Sequence, residues 1–136
     1  MDKKEVVKYF YETIVSENLL EELENYVSNK CVLNIGQKTI PYGLNGMKEH
    51  LIALKKTYPD YTIKITRQHV AGDYVISELT MEGTHDGNFA GITPTHQKLS
   101  FIGIDIDKVI DGKIAEHGGA VNTFETFLEH GLIKPV

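Results

Sequence analysis

The residues best suited to proton chemistry flank one tight turn. Asp111-Gly112 is a strong hairpin signal between a β-type run from about Lys98 to Ile110 and a second from Lys113 to about Asn122. Pairing Ile110 with Lys113 places Asp107 opposite Glu116, Asp105 opposite Gly118 and Phe101 opposite Asn122, all on one face. Ile102, Ile104 and Ile106 fall on the other face, against Val121, Gly119 and His117. A bulge at Gly103 or at Gly118-Gly119 would shift this register. A carboxylate buried opposite a glycine is a candidate general base, because burial brings its pKa toward neutrality. Asp105 is therefore either such a base or, with Asp107 and Glu116, part of a solvated strand end.

Histidines offer the other route. His69 and His85 end two neighbouring strands, where a ring can shuttle a proton, contact a ligand carbonyl or simply serve the fold. His96 lies in a loop, where an exposed imidazole is expected. Glu116 and His117 look like a catalytic pair, but adjacent strand residues point to opposite faces, so only one of them can enter a given pocket. His50 and His130 sit in helical patterns with no second ligand three or four residues away, and H-E-x-x-H is absent, so no metal centre is expected. The chain also lacks a phosphate-cradling glycine loop and a G-x-S-x-G elbow. Chemistry here would be cofactor-free.

The elements that must position these groups follow from periodicity. Asp2 and Glu5 are spaced as a capping box ahead of Val6, Phe10 and Ile14, and Asn18 with Glu21 repeats the signal ahead of Leu19, Leu20, Leu23 and Val27. Cys31 to Ile35 is a short β-type run, and Gln37 to Gly46 reads as a loop. Met47, Leu51 and Leu54 mark a third helix that stops before Pro59. Beyond Pro59 the period falls to two: Tyr61, Ile63 and Ile65 alternate with polar residues, and Ala71-Gly72-Asp73 turns the chain into a strand from about Tyr74 to His85. A short helix from Thr123 to His130 ends at Gly131. Helices followed by a four-stranded antiparallel meander predict an α+β fold, with helices covering one face of a curved sheet. One domain spans residues 1–136.

Composition narrows the partners. Fourteen basic residues against nineteen acidic ones give a net charge of -5, the wrong sign for nucleic acid or an anionic membrane surface. Hydrophobic residues at 41% and charged residues at 24% exclude disorder. A single cysteine, Cys31, and a start without a signal-peptide pattern predict a cytoplasmic protein without disulfides.

The run Gly83-Thr84-His85-Asp86-Gly87-Asn88-Phe89-Ala90-Gly91-Ile92-Thr93-Pro94-Thr95, the strand Ser100 to Ile106, and Asp111-Gly112-Lys113-Ile114-Ala115-Glu116-His117 together resemble the SnoaL-like polyketide cyclase (ester cyclase) family. The resemblance implies the cone-shaped fold of the nuclear transport factor 2-like superfamily, an apolar pocket between helices and concave sheet, and homo-oligomers associating through the sheet. It implies ligand contacts at Asn122, Gly118, Phe101, Phe89 and Asn34, and Asp105, His69 and His85 are the catalytic candidates. Two departures stand out. Where the family continues E-H-W-x-x-x-D this chain has Gly118 for the Trp and Asn122 for the acid/base Asp, and an amide cannot exchange a proton at neutral pH. Gly118 should enlarge the pocket, and Asn122 should either hold a ligand oxygen or satisfy nearby backbone. The expected function is a cyclase, isomerase or lyase acting on a small apolar carbonyl compound. The alternative is a binding module that keeps the pocket without the chemistry. A homodimer joined through the face of Ile102, Ile104 and Ile106 is expected, since that stripe is too apolar to leave wet.

Overall fold

The computed structural model describes residues 1–136. The first capping box closes: the Asp2 carboxylate accepts from the Glu5 N–H at 2.9 Å, and Glu5 accepts from the Asp2 N–H at 3.3 Å, starting α1 (Lys3–Tyr9). The helix then widens into a π-helical turn over Phe10–Val15. A wider turn turns adjacent pairs inward, so Tyr11 and Val15 are buried beside Phe10 and Ile14, where a four-residue spacing predicts only the latter two. The second capping box does not form. Asn18 has φ 57°, a left-handed conformation unlike that of an N-cap, and the chain makes only a 3₁₀ turn (Leu20–Glu22) and one helical turn, α2 (Leu23–Tyr26).

There follow β1 (Val27–Ile35), β2 (Lys38–Pro41), α3 (Gly43–Thr57), β3 (Thr62–Ala71), β4 (Tyr74–Thr84), β5 (Lys98–Ile110), β6 (Lys113–Val121) and α4 (Thr123–Glu129). The strands form one six-stranded curved sheet in the order β2-β1-β6-β5-β4-β3, which does not close on itself. The meander β3 to β6 is antiparallel, as expected. Two features correct the sequence reading. Lys38–Pro41, expected in a loop, pairs with β1, and all four of its residues are exposed, so no apolar alternation could reveal it. β1 also pairs with β6 in parallel, a contact between distant segments that has no local signature. The π turn packs on β3 and α3 on β1, so helices cover both ends of the open sheet. No helix is long and apolar enough to cross a membrane.

The most consequential correction lies in the register of the last hairpin. Ile110 pairs with Lys113 and Val109 with Ile114, as the turn predicts, but the ladder then shifts. Lys108 pairs with Glu116, Asp107 with His117 and Asp105 with Gly119. The extra residue is Ala115, not one of the glycines. The unshifted ladder would set Asp107 against Glu116, two like charges face to face. The shifted one gives two attractive pairs instead, with Lys108 Nζ 3.4 Å from Glu116 and His117 Nδ1 2.7 Å from Asp107.

Candidate active site

Between the helices and the concave face of the sheet lies a cavity of about 320 Å³. Sixteen of its 23 lining residues are hydrophobic, including Phe10, Met47, Leu51, Ile63, Met81 and Phe101, which suits it to a small apolar molecule. Its polar groups come from specific places. The inward alternation of β5 delivers Asp105 to the wall and Asp107 behind it, the bulge in β6 delivers His117, and the π turn delivers Tyr11.

Asp107 is fully buried and completely engaged. Its Oδ2 accepts from the Tyr11 hydroxyl at 2.6 Å, and its Oδ1 accepts from His117 Nδ1 at 2.7 Å. That second bond assigns the Nδ1 proton of His117 and leaves Nε2 without a protein partner beside the cavity. Burial alone would lower the His117 pKa, but the charge and hydrogen bond of Asp107, with the charge of Asp105, outweigh it and raise the pKa. Asp105 lines the same cavity and has no salt-bridge partner, and the Tyr11 hydroxyl, whose short bond goes to Asp107, is the one hydrogen-bonding group beside it. Burial raises its pKa from 3.8 to about 6, with the Asp107 charge adding to the effect and the His117 charge opposing it.

Gly119 is what admits the Asp105 carboxylate: a Cβ at position 119 would run into Asp105 Oδ1. Gly118 plays a different part from the one expected. It borders the cavity, but a Cβ there would run into the Asn34 carbonyl oxygen at 2.5 Å. An indole at Gly118 would therefore disrupt the β1–β6 pairing instead of filling the cavity.

The remaining sequence candidates separate. Phe101 is buried and lines the cavity, and Phe89 lines it from the loop after β4, its ring 5.7 Å from that of Phe127. Asn34 borders the cavity, but its amide is taken up by Glu116 at 3.0 Å and by Thr39 at 3.1 Å. Asn122 does not line the cavity. It precedes α4, and its side-chain oxygen accepts from the Ile102 N–H at 2.7 Å, the backbone-satisfying role weighed above. His69 is half exposed on β3, hydrogen-bonded to Glu78 at 2.9 Å and away from the cavity. His85 is fully buried behind Tyr58, with ring centroids 6.2 Å apart. Its Nδ1 accepts from the Thr95 N–H at 3.2 Å, which puts the proton on Nε2, where it finds no partner. Exposed His96 pairs with Asp86 at 2.8 Å.

The structure thus brings Asp105 and Phe101 together and adds Tyr11, Asp107 and His117, which the sequence reading left out of the site. One signal pointed to them. An Asp107–Glu116 pair buried on one face is electrostatically costly, and the histidine next to Glu116 is the cheaper group to turn inward.

An α+β fold whose helices and sheet enclose an apolar cavity, with the Asp105 carboxylate and the Asp107-bound His117 ring in its wall, defines a site suited to a small molecule. The chain belongs to the SnoaL-like polyketide cyclase family, whose sequence model matches residues 5–128. Its fold is shared with a SnoaL-like polyketide cyclase of Agrobacterium tumefaciens (16% identity over 98% of this chain and 99% of that one, TM-score 0.81). IdmH of Streptomyces antibioticus (19%, 96% and 99%, 0.83) and TsrD of Streptomyces laurentii (20%, 96% and 93%, 0.78) are similar in the same way. At these identities the likeness establishes the fold, the α+β arrangement of helices on a curved sheet expected from the motifs. No curated protein matches the chain.

Proposed function

We propose that the protein catalyses cofactor-free proton transfer on a small, apolar, carbonyl-bearing molecule, in a reaction of the cyclase, isomerase or lyase type, with Asp105 as the base. The observation that carries this reading is a buried carboxylate without a salt-bridge partner in the wall of an apolar cavity, and that burial pushes its pKa up to about 6. A general base works best when its pKa lies near the working pH, and burial supplies the shift. Removing a proton α to a carbonyl breaks the C–H bond, moves the proton to the carboxylate and leaves the electron pair delocalised onto the carbonyl oxygen. His117 Nε2, in the same wall, is placed to return or relay that proton, its ring oriented by Asp107 as a catalytic histidine is by a buried carboxylate.

Exchange of solvent deuterium into 1-tetralone, a bicyclic ketone, followed by NMR, tests the reading. The rate should rise with pH through an apparent pKa of about 6 as Asp105 ionises. In His117→Ala the same limb should move to higher pH, because the imidazolium charge that eases Asp105 ionisation is gone. Exchange no faster than in buffer would favour the second reading, a binding module. That reading draws on Asn122, which stands where the family carries its acid/base Asp and is occupied with the backbone of β5.

Self-association belongs to the same proposal. Ile102, Ile104 and Ile106 are 64%, 50% and 45% exposed on the convex face of β5, whereas the register shift turns Val121, expected beside them, toward the cavity. A second copy of the chain is the partner this surface suits. Light scattering at micromolar concentration should report a homodimer for the parent and a monomer for Ile104→Lys. A monomeric parent would sink this part.

A further inference from the structure

Several polar groups in the cavity wall, the side chains of Tyr42, His50, Tyr58 and Tyr61 among them, make no hydrogen bond within the protein and take no part in the Asp105 and His117 chemistry, and of these tyrosines only Tyr61 feels the Asp105 charge. Tyr61 is buried and lines the cavity, and its hydroxyl has no hydrogen-bond partner within the protein. The one walled-off side-chain polar atom without a partner is His85 Nε2, so the Tyr61 hydroxyl is not sealed in the packing and opens on the cavity. Tyr11, the phenol at the carboxylates, is by contrast already committed to Asp107.

The backbone that carries Tyr61 is pinned from three sides. Its N–H donates to the Tyr58 carbonyl at 3.0 Å, and its own carbonyl accepts from Lys55 Nζ at 2.7 Å. The preceding residue, Asp60, accepts from the Thr84 N–H at 2.6 Å and from the Thr84 hydroxyl at 2.7 Å. The ring itself stacks on Tyr58 with centroids 5.8 Å apart. A phenol fixed so firmly, with its donor free, needs no reorganisation to meet a charge that develops in the cavity. Burial and the nearby Asp105 charge both push its pKa up, so it keeps its proton and stays a donor at neutral pH.

Resting on the acid/base reading above, we propose that Tyr61 donates its hydroxyl proton in a hydrogen bond to the enolate oxygen that forms as Asp105 takes the α-proton, and that the cavity therefore selects planar enolates and phenolates. The substrate carbonyl oxygen faces Tyr61 and its α-carbon faces Asp105. When the proton returns from Asp105 to carbon, the enolate oxygen reverts to a carbonyl and Tyr61 is unchanged.

Binding of phenols reads this directly. In the Asp105→Asn background, whose neutral amide imitates the protonated acid of the enolate state, 2-naphthol and ring-substituted phenols of graded acidity are titrated with naphthalene as the apolar control. Affinity should rise with the acidity of the phenol. Adding Tyr61→Phe should weaken the ionised phenols about ten- to a hundredfold, as expected for a hydrogen bond to a charged oxygen, and leave naphthalene unaffected. Tyr61→Phe breaks no hydrogen bond within the protein, so its melting temperature should match that of its background. Equal binding of every phenol with and without the Tyr61 hydroxyl overturns the assignment, as does a protein that prefers no phenol to naphthalene. The acid/base reading fails separately: if the parent shows no deuterium exchange but phenol selectivity still depends on Tyr61, the hydroxyl is an anion donor in a binding module.

Discussion

Asp105→Asn is expected to lower the rate of deuterium exchange 10²- to 10⁴-fold while raising the melting temperature at neutral pH. The two effects share one cause. Burial raises the Asp105 pKa from 3.8 to about 6, so the folded protein holds this proton more tightly than the unfolded chain does. Between about pH 4 and pH 6 the native state then binds more protons, and stability falls as pH rises through that window. Above it the ionised carboxylate costs the fold at most about 3 kcal/mol, less whatever water in the cavity restores. An amide of the same shape carries none of this cost. Thermal unfolding of parent and variant should show the gain at pH 7 and its disappearance near pH 4. A variant less stable than the parent at pH 7 would mean that Asp105 has a compensating partner and is not a strained functional group.

His117→Ala should act in the opposite direction. Asp107 has 0% of its surface exposed, and His117 is its only cationic partner, at 2.7 Å. Truncating the imidazole leaves a buried carboxylate with the Tyr11 hydroxyl as its remaining donor, a change that typically costs about 3–5 kcal/mol. Because the His117 pKa is raised in the folded state, the ionic share of this stabilisation is fully present below about pH 6.5 and is lost as pH rises through the folded value. Denaturant unfolding should therefore show the larger deficit at pH 6 than at pH 9. Combining His117→Ala with Asp107→Asn removes the orphaned charge and should recover part of the loss, a coupling that a double-mutant cycle measures. If the single variant loses less than about 1 kcal/mol at pH 6, the pair is not a buried ion pair of consequence.

Much of the fold was legible because its signals are local. The Asp2-Glu5 capping box, the change of period after Pro59, the Asp111-Gly112 turn and the strand from Lys98 to Ile110 each lie within a few residues of the features that encode them. The outward face of Ile102, Ile104 and Ile106 and the inward face of Phe101 and Asp105 followed from the two-residue period of a single strand. What escaped was non-local. β2 is an exposed edge strand recruited by β1, and β1 meets β6 across most of the chain, so neither has a pattern of its own to read.

The two-residue period put Asp105 and Phe101 on one face of β5 and Ile102, Ile104 and Ile106 on the other, and left open whether the first face was a pocket wall or a solvated strand end. The neighbours of Asp105 were set by how β5 and β6 pair. One extra residue at Ala115 reverses which side of β6 faces inward, because side chains alternate with a period of two and any slip of one exchanges the faces. The slip turned His117 in and Glu116 out, and it set Gly119 in place of Gly118 against Asp105. What favours it is the repulsion of Asp107 and Glu116 in one register set against two opposite-charge pairs in the other. That balance becomes visible only when both strands, the Tyr11 hydroxyl from the π turn and the low dielectric of the cavity are assembled around the same few atoms.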